Sequence, residues 1–325
     1  MEVLSEVLRA VRLNGALYFD LRLASPWVAE TPGISDISEG VMPDAEYVIA
    51  FHVVLEGELW AQLGDESEPP VWVEAGDAIM FPQGDGHVMG SEQRRRGKPY
   101  LELYRRPSDR GLPLVLKGIG GNGDTARVVC GYIGCDARPF NPILGALPRM
   151  MHLKSLPQTG SAAWSLLTLA LSESQTSRAG GEALLAKLSE LIFVQTIQDY
   201  VERLDDAERS WFAALRDRQV SRALACIHGR PDESWTVEHL ASEAGMSRAA
   251  FYDRFTGYTG MAPMQYLTRW RMHLAARALQ QAGMTVANVA NDVGYQSEPA
   301  FIRAFKKTLG VTPSQWRQGK VSIGR

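Results

Sequence analysis

Two histidines, His52 and His87, are the side chains in this sequence best suited to metal or hydrogen-bond chemistry. A divalent ion takes three or four ligands around one point, so the pair needs a further donor, for which Glu56 or a cysteine is the candidate. Two imidazoles without a dependable third ligand more often serve as hydrogen-bonding groups in a pocket. We therefore expect no catalytic residue and keep His52 and His87 as weak metal candidates.

Cys130 and Cys135 are a second candidate pair. In one strand they would lie on opposite faces, whereas a turn at Gly131 or Gly134 could bring them together. One interpretation is that the two cysteines are small residues in a partly buried segment. The alternative is that they form a redox-sensing thiol site or half of a metal site. With Cys226 the chain has three cysteines, too few for a disulfide framework, which suits a reducing compartment.

The elements that must hold these side chains are short and apolar. Between residues 15 and 150, apolar stretches separated by Gly, Pro and Asp predict an all-β domain, a sandwich or barrel. The predicted strands cover residues 17–23, 47–55, 58–63, 71–74, 78–81 and 100–104. Trp60 and Trp72 lie on two of them, either lining a pocket or packing elsewhere. Residues 1–13 predict an amphipathic helix and not a signal peptide.

The last hundred residues contain one pattern twice. The residues that recur in the second copy are Thr236/Thr285, Val237/Val286, Ala241/Ala290, Gly245/Gly294, Ser247/Ser297, Phe251/Phe301, Phe255/Phe305, Gly260/Gly310 and Pro263/Pro313. Each copy predicts a helix, a turn at Gly, a Ser that caps a second helix, and two Phe on one face of it. Two helix-turn-helix units joined by a long helix over residues 264–281 fit this pattern. A helical solenoid is the alternative, but two copies are fewer than solenoids usually need.

Charge divides the chain at the same place. Residues 218–325 hold 14 Lys and Arg against 7 Asp and Glu, a formal +7, whereas the other 217 residues hold 20 against 30, a formal −10. A cationic end suits contact with DNA phosphates. The apolar runs are too short to cross a membrane, so we expect a cytoplasmic protein without membrane contact.

The C-terminal hundred residues resemble the DNA-binding domain of the AraC/XylS family of transcription regulators. The resemblance is carried by Gly294 to Ser297, by Phe301, Arg303, Phe305 and Lys306, and by Gly310 to Pro313 with Trp316. It implies binding to double-stranded DNA, contact with RNA polymerase and a homodimer.

The N-terminal part resembles a cupin. Residues 76–87 match the second cupin motif, Gly, five residues, Pro, one residue, Gly, two residues, His. The first motif is incomplete, because residues 51–57 hold one His and no His-x-His pair. Small ligands bind inside the mouth of such barrels. We therefore expect an effector pocket near His52, His87, Trp60 and Trp72, with His52 and His87 facing each other across the barrel.

Geometry selects the DNA-contacting residues once the Phe pairs point inward. The expected base-reading or adjoining residues are Arg248, Ala249, Tyr252 and Asp253 in the first copy and Gln296, Ser297, Glu298, Pro299, Ile302 and Arg303 in the second. The expected phosphate contacts are Arg254, Arg269, Lys306, Lys307 and Arg317. Arg303 has a rival role in contacting phosphate or bracing the fold.

The sequence thus predicts a multidomain chain: residues 1–155 an all-β cupin barrel that senses an effector, 156–210 a helical connector, and 211–325 an all-α domain with two helix-turn-helix units. The apolar connector helix either forms the dimer contact, as the resemblance implies, or packs onto the barrel. The predicted function is a DNA-binding transcription regulator that responds to a small molecule or a redox signal. The alternatives are a metal-dependent cupin enzyme fused to a DNA-binding module, and a constitutive DNA-binding protein whose barrel only dimerises.

Overall fold

The computed structural model describes residues 3–10, 13–43, 45–92, 96–98, 101–104, 113–135, 140–154, 162–174, 179–205 and 209–318. The chain forms two compact units. The barrel unit, as we call it, contains Arg12–Asp136 and Leu147–Arg203, and the helical unit contains Met1–Val11, Ala137–Ala146 and Leu204–Arg325. This division cuts across the expected boundaries, because the first helix and a short internal segment group with the C-terminal residues.

The barrel unit consists of strands and four helical segments. Its strands are β1 (Leu13–Ala24), β2 (Val28–Thr31), β3 (Tyr47–Glu56), β4 (Glu58–Leu63), β5 (Val71–Glu74), β6 (Ala78–Phe81), β7 (His87–Gly90), β8 (Leu114–Gly120), β9 (Thr125–Cys135) and β10 (Met151–Leu153). Its helices are α2 (Ile34–Val41), α4 (Ala162–Ser174) and α5 (Gly181–Glu202), together with a 3₁₀ turn over Leu101–Tyr104.

The strands form two sheets that enclose the core. One sheet has the order β10-β6-β3-β9-β1-β8, and the other has the order β2-β7-β4-β5. Val48, Ala50 and Val54 of β3 and Leu59 and Ala61 of β4 belong to one buried cluster between the sheets. The expected all-β cupin-like region is confirmed, and the second cupin motif connects β6 of the first sheet to β7 of the second.

Five of the six expected strands are present within a few residues of their predicted ends. The sixth prediction is wrong for residues 101–104, which form the 3₁₀ turn, and Tyr100 lies outside the described residues. Strands β2, β7, β8, β9 and β10 were not expected. Strand β9 runs without a break through Gly131 and Gly134, so neither glycine makes the turn that was considered for the cysteine pair.

Helices α4 and α5 cover the outer face of the larger sheet. Phe51 and Val53 of β3 lie against this helix pair, in a pocket that Leu167 of α4 and Phe193 of α5 also line. Strand β3 is therefore buried on both faces over most of its length. The expected connector helices are thus part of the barrel unit, and α5 uses one face for packing within the unit.

The helical unit is built from ten helices within the described residues. They are α1 (Val3–Ala10), α3 (Pro142–Ala146), α6 (Trp211–Arg216), α7 (Val220–Gly229), α8 (Val237–Ala244), α9 (Arg248–Thr259), α10 (Pro263–Ala278), α11 (Val286–Asp292), α12 (Glu298–Leu309) and α13 (Pro313–Arg317). None of the described helices is both long enough and apolar enough to cross a membrane.

The N-terminal helix α1 is amphipathic, as its sequence predicts. Val3, Leu4 and Val7 are buried, and α1 contacts α7. The backbone carbonyl of Ala10, at its C-terminal end, accepts hydrogen bonds from the side chains of His273 and Arg277 of α10. Helix α1 is thereby held against α7 and α10 of this unit.

Candidate functional site

The first helix-turn-helix unit consists of α8 and α9. Thr236 caps α8 by accepting a hydrogen bond from the His239 amide, and Gly245 ends the helix in the left-handed conformation at φ 66°. Ser247 caps α9 by accepting from the Ala250 amide. Phe251 and Phe255 are fully buried, so α9 turns its opposite face to solvent.

The second unit, α11 and α12, repeats this arrangement with one difference. Thr285 caps α11 by accepting a hydrogen bond from the Asn288 amide, and Phe301 and Phe305 of α12 are fully buried. Ser297 takes the N-cap position of α12, but its side chain makes no capping hydrogen bond, so that expectation was wrong. Pro299 occupies the first turn and has no N–H, which removes one of the two backbone donors that a cap can bind.

The expected base-reading residues lie mostly on open surface. The exposed ones are Arg248, Ala249, Tyr252 and Asp253 on α9, and Gln296, Ser297, Glu298, Pro299 and Arg303 at the start and along the outer face of α12. Ile302 is half-buried and packs against the core of the second unit. Its side chain therefore has less surface to offer a base than its neighbours on α12.

The cationic side chains expected to contact phosphate differ in whether they already have partners within the protein. Arg254 forms an ion pair with Asp217 at 2.6 Å and a hydrogen bond with Gln219 at 3.0 Å, which tie α9 to the start of α7. Arg317 donates to the carbonyls of Leu279 and Met284 and closes the end of α10. Both therefore brace the fold.

The remaining cations are less engaged. Arg248 forms an exposed ion pair with Glu238 at 2.9 Å. In the described part of the chain, no ion pair or side-chain hydrogen bond engages Arg269, Arg303, Lys306 or Lys307, all of which are exposed. These four are the cations best placed to meet DNA without first giving up an internal partner.

Two further arginines were missed by the sequence interpretation. Arg218 and Arg222 are exposed and line a cleft of about 370 Å³ together with Arg254 and the Gly245 turn. They are close together in the sequence because Arg218 lies just before α7 and Arg222 lies in its first turn. The only sequence signal was their share in the net positive charge of residues 218–325.

The barrel unit contains a large cavity between its sheets, about 980 Å³ in volume. Strands β1, β8 and β9 supply much of its wall, including Phe19, Leu21, Val115 and Tyr132. Trp27 and Tyr104 add aromatic surface from outside the larger sheet. Most of its lining is apolar, and the volume is at the upper end of the range usual for small-molecule sites.

His52 and His87 meet across the interior of the barrel, as expected. Their Nε2 atoms are 2.8 Å apart, which is a hydrogen bond, and His87 stacks on Phe81 with ring centroids 3.7 Å apart. His52 also lines the cavity, whereas His87 lies behind it.

The pair does not fit a divalent metal centre. Both Nε2 atoms point at each other, and Glu56 is exposed about 13 Å further along β3, so it cannot complete the set as considered. The described residues contain no group of three or more His, Cys, Asp or Glu side chains that could hold an ion.

The two tryptophans do not line the cavity. Trp60 alternates with Leu59 and Ala61, which face the interior, so its side chain points to the other face of the smaller sheet. Trp72 is its cross-strand neighbour and is 44% exposed. Of the four expected pocket residues, only His52 lies in the wall.

Cys130 and Cys135 lie five residues apart on the unbroken strand β9, about 17 Å along it. They therefore cannot form a disulfide with each other. Cys130 lines the cavity, and burial raises the pKa of its thiol well above the ordinary value. A protonated, buried thiol is a poor nucleophile, which weighs against a redox-sensing role for this pair.

Comparison with known proteins agrees with this architecture. A cupin family model matches residues 2–202, and a helix-turn-helix domain model matches residues 240–319. A putative AraC-like transcription regulator from Streptomyces lividans is 30% identical over 320 residues, covering 98% of each chain. The HTH-type transcriptional regulator AlkR from Acinetobacter baylyi is 26% identical, covering 98% of this chain and 99% of that protein.

Among solved structures, the DNA-binding domain of AdpA in complex with a target DNA is 32% identical. The match covers 32% of this chain and 92% of that one, with a TM-score of 0.30. The family models and the full-length relatives together identify the chain: it belongs to the AraC-type transcription regulators that carry a cupin domain ahead of a helix-turn-helix DNA-binding domain.

Proposed function

We propose that a small molecule bound in the barrel cavity controls sequence-specific DNA binding by the two helix-turn-helix units. The observation that carries this proposal is the apolar cavity of about 980 Å³ in a chain that also has two exposed recognition helices. An apolar wall selects an effector that is itself largely apolar, because polar groups buried without partners are costly. The direct test is titration of target DNA with and without a candidate effector.

We assign base reading to the exposed faces of α9 and α12. Successive major grooves on one face of B-DNA are about 34 Å apart, and the 16-residue helix α10 separates the two units. One monomer would then cover two grooves. The two faces differ, with Arg248 and Tyr252 in one and Glu298 and Arg303 in the other, so each monomer would read an asymmetric site.

Arg303→Ala is expected to weaken specific DNA binding by about 1 to 3 kcal/mol and to relax specificity at one base pair, because arginine reads guanine O6 and N7. Lys306→Ala, one helical turn away, is the matched control. It should weaken specific and random DNA alike and lower the salt slope by about one unit. Fluorescence anisotropy at several salt concentrations measures both. Equal loss on specific and random DNA for Arg303→Ala would exclude base reading there.

We propose that α1 carries the effector signal. It ends at Ala10, and β1, whose Phe19, Leu21 and Leu23 line the cavity, begins at Leu13. A ligand that shifts β1 therefore acts on a segment directly joined to α1. Because α1 is fastened to α7 and α10, its displacement would change the helices that position the recognition helices.

Val7→Glu should uncouple the two sites, because it puts a charge on the fully buried face of α1, the helix that contacts α7. The effector would still bind within about twofold, but its effect on DNA affinity, typically 5- to 150-fold in such systems, should fall to about onefold. Arg9→Ala removes an exposed side chain of the same helix and serves as control. An unchanged effector response in Val7→Glu would exclude this route.

We propose a homodimer formed through the outer face of α4 and α5. Leu169 of α4 and Leu184 and Leu191 of α5 are 43–51% exposed, and the last two are seven residues apart on one stripe. A spacing of seven is typical of helices that pair along their length. The inner face of α5 packs on the sheet, so this outer face is free for a second copy.

The double substitution Leu184→Glu/Leu191→Glu should weaken the dimer about 1000-fold, because it removes two half-exposed leucines from each protomer and each contributes about 1 kcal/mol when it becomes buried. Ala183→Glu, also exposed on α5, is the matched control. Sedimentation velocity over a concentration series measures the change. A monomeric wild-type chain, or an unaffected double variant, would contradict this interface.

Several finer expectations belong to the same proposal. Regulation implies contact with RNA polymerase and a location with the chromosome in the cytoplasm. The mismatch between the His52–His87 pair and a metal centre favours a binding role over the metal-dependent enzyme that was the alternative. The low reactivity of the Cys130 thiol favours a small-molecule signal over a redox one.

A further inference from the structure

His52 places a buried polar atom in the wall of the cavity. His52 is 2% exposed and lines the cavity, and its Nε2 is used by the hydrogen bond to His87. Its other ring nitrogen, Nδ1, is buried and has no hydrogen-bond partner within the described residues. Such unpaired buried polar atoms are rare in folded proteins and call for a partner.

The hydrogen positions on the two rings follow from their neighbours. His87 Nδ1 lies 3.1 Å from the backbone carbonyl of Asp85, which can only accept, so His87 carries a hydrogen on Nδ1. Burial lowers the pKa of His87 to about 4 and holds the pKa of His52 well below its ordinary value, so both rings are neutral. His87 Nε2 then has no hydrogen and accepts from Nε2–H of His52.

These two hydrogen bonds determine what His52 presents to the cavity. A neutral His52 with its hydrogen on Nε2 presents a bare lone pair at Nδ1, which can only accept a hydrogen bond. The cavity therefore favours a ligand that places a donor there. An ether or ketone oxygen at this position would face the lone pair with another lone pair.

Elsewhere the cavity wall is positively charged. Lys98 and Lys117 line it and are both exposed, and in the described part of the chain neither has an ion pair or hydrogen bond. Glu30 also lines it, and its carboxylate is paired at 2.6 Å with Arg96, which also pairs with Glu66 at 3.1 Å, so these three groups together carry one negative charge against the two lysines. The two lysines leave a net positive charge that favours an anionic group.

We propose that the cavity takes an apolar molecule with a hydroxyl group at one end and a carboxylate or similar anion at the other. The hydroxyl donates its hydrogen to Nδ1 of His52, and the anion lies by Lys98 and Lys117. This inference rests on the proposed role of the cavity as the effector site and adds the chemical class of the effector. A sugar is disfavoured, because its many hydroxyls would lack partners against the largely apolar wall.

The test uses the purified full-length chain and matched probes. ω-Hydroxyalkanoates of eight to twelve carbons are compared with ω-methoxyalkanoates of the same chain length, by isothermal titration calorimetry. The hydroxy acids should bind about tenfold tighter than the methoxy acids. Equal affinities, or no binding by any hydroxy acid up to its solubility limit, would overturn the proposal.

Variants separate the two ends of the site. His52→Phe removes the acceptor and should make hydroxy and methoxy acids bind within about twofold of each other. Lys98→Met/Lys117→Met should weaken both acids about tenfold and leave 1-alkanols of the same length within about twofold. A hydroxyl preference that persists in His52→Phe, or an unchanged acid affinity in the lysine variant, would contradict the respective contact.

The ring hydrogens can be read without any ligand. Long-range ¹H–¹⁵N correlation spectra of histidine-labelled protein distinguish the two neutral forms of each ring. We expect the hydrogen of His52 on Nε2 and that of His87 on Nδ1, and the opposite placement on His52 would overturn the proposal. These binding and spectroscopic experiments are done without DNA. The proposed ligand class can therefore be wrong while effector control of DNA binding is right, and effector control can be wrong while the ligand class is right.

Discussion

Gly294→Ala is expected to destabilise the helical unit by about 3 kcal/mol or more. Gly294 forms the turn between α11 and α12 at φ 81°, a left-handed conformation that costs a residue with a Cβ about 1 to 2 kcal/mol. A Cβ there would also stand 2.3 Å from the backbone carbonyl oxygen of Asp232, far inside contact distance. Relief of such an overlap typically adds about 1 to 3 kcal/mol.

The loop that contains Asp232 cannot easily retreat. Arg271 of α10 donates to the carbonyls of Pro231 at 2.6 Å and Glu233 at 2.7 Å, on both sides of it. The turn of the second helix-turn-helix is thereby seated on the loop that follows α7. A shift of this turn would move α12, so we expect Gly294→Ala to weaken DNA binding as well.

Substitutions of two other glycines distinguish the cost of the left-handed conformation from the cost of the overlap with Asp232. Gly310 has φ 78° but open space around its Cβ position, so Gly310→Ala should cost only about 1 to 2 kcal/mol. Gly257 lies within α9 with open space, and Gly257→Ala should stabilise the unit by up to about 1 kcal/mol. Hydrogen exchange of peptides from α9, α11 and α12 measures the three variants. If Gly294→Ala cost no more than Gly310→Ala, the clash with Asp232 would carry no weight.

The recognition helices could be predicted from sequence because their signals are local. Thr236, Gly245, Phe251 and Phe255 follow helix geometry, and their repetition fixes the alignment of the second copy. The free cations could not be identified this way. Whether an arginine such as Arg254 is available depends on Asp217, which is far from it in the chain.

The barrel shows a different limit. The alternation of apolar residues predicted strands β4 and β5. Alternation does not show which face of a strand points to the interior, so Trp60 was wrongly expected to line the cavity. The cavity wall needed β8, whose sequence carries a weak strand signal because Lys117 and Gly118 are exposed, and the 3₁₀ turn, whose residues 101–104 were predicted as a strand. The His52–His87 contact could be predicted from the sequence, because both histidines fall at cupin-motif positions.

The same histidine pair should make the barrel unit acid-sensitive. Burial lowers the pKa of His87 to about 4 and that of His52 well below the ordinary value of 6.5. As pH falls through about 6.5, the unfolded chain takes up protons at both positions while the folded barrel does not. Stability is therefore full above pH 6.5 and declines towards pH 4.

At pH 5 the loss from His87 is about 2 kcal/mol relative to pH 7 or above, and His52 adds to the loss in the same direction. His52→Phe/His87→Leu should remove this part of the pH dependence and leave the part that comes from carboxylates. Hydrogen exchange of β3 peptides, followed from pH 7 to pH 5 and corrected for intrinsic exchange rates, measures the difference.

The helical unit supplies the matched control. Burial lowers the pKa of His228 to about 3, and this ring contacts the Tyr266 hydroxyl at 2.9 Å. His228→Phe should flatten the acid response of α7 peptides and leave that of β3 unchanged. If the pH dependence of β3 were as steep in the double variant as in the wild type, the two rings would not both be neutral in the folded barrel, and the lone pair assigned to His52 would lose its support. If the histidine substitutions in each unit change the acid response of that unit only, the acid response of the barrel comes from the neutral His52–His87 pair, which is the pair that the proposed effector contacts.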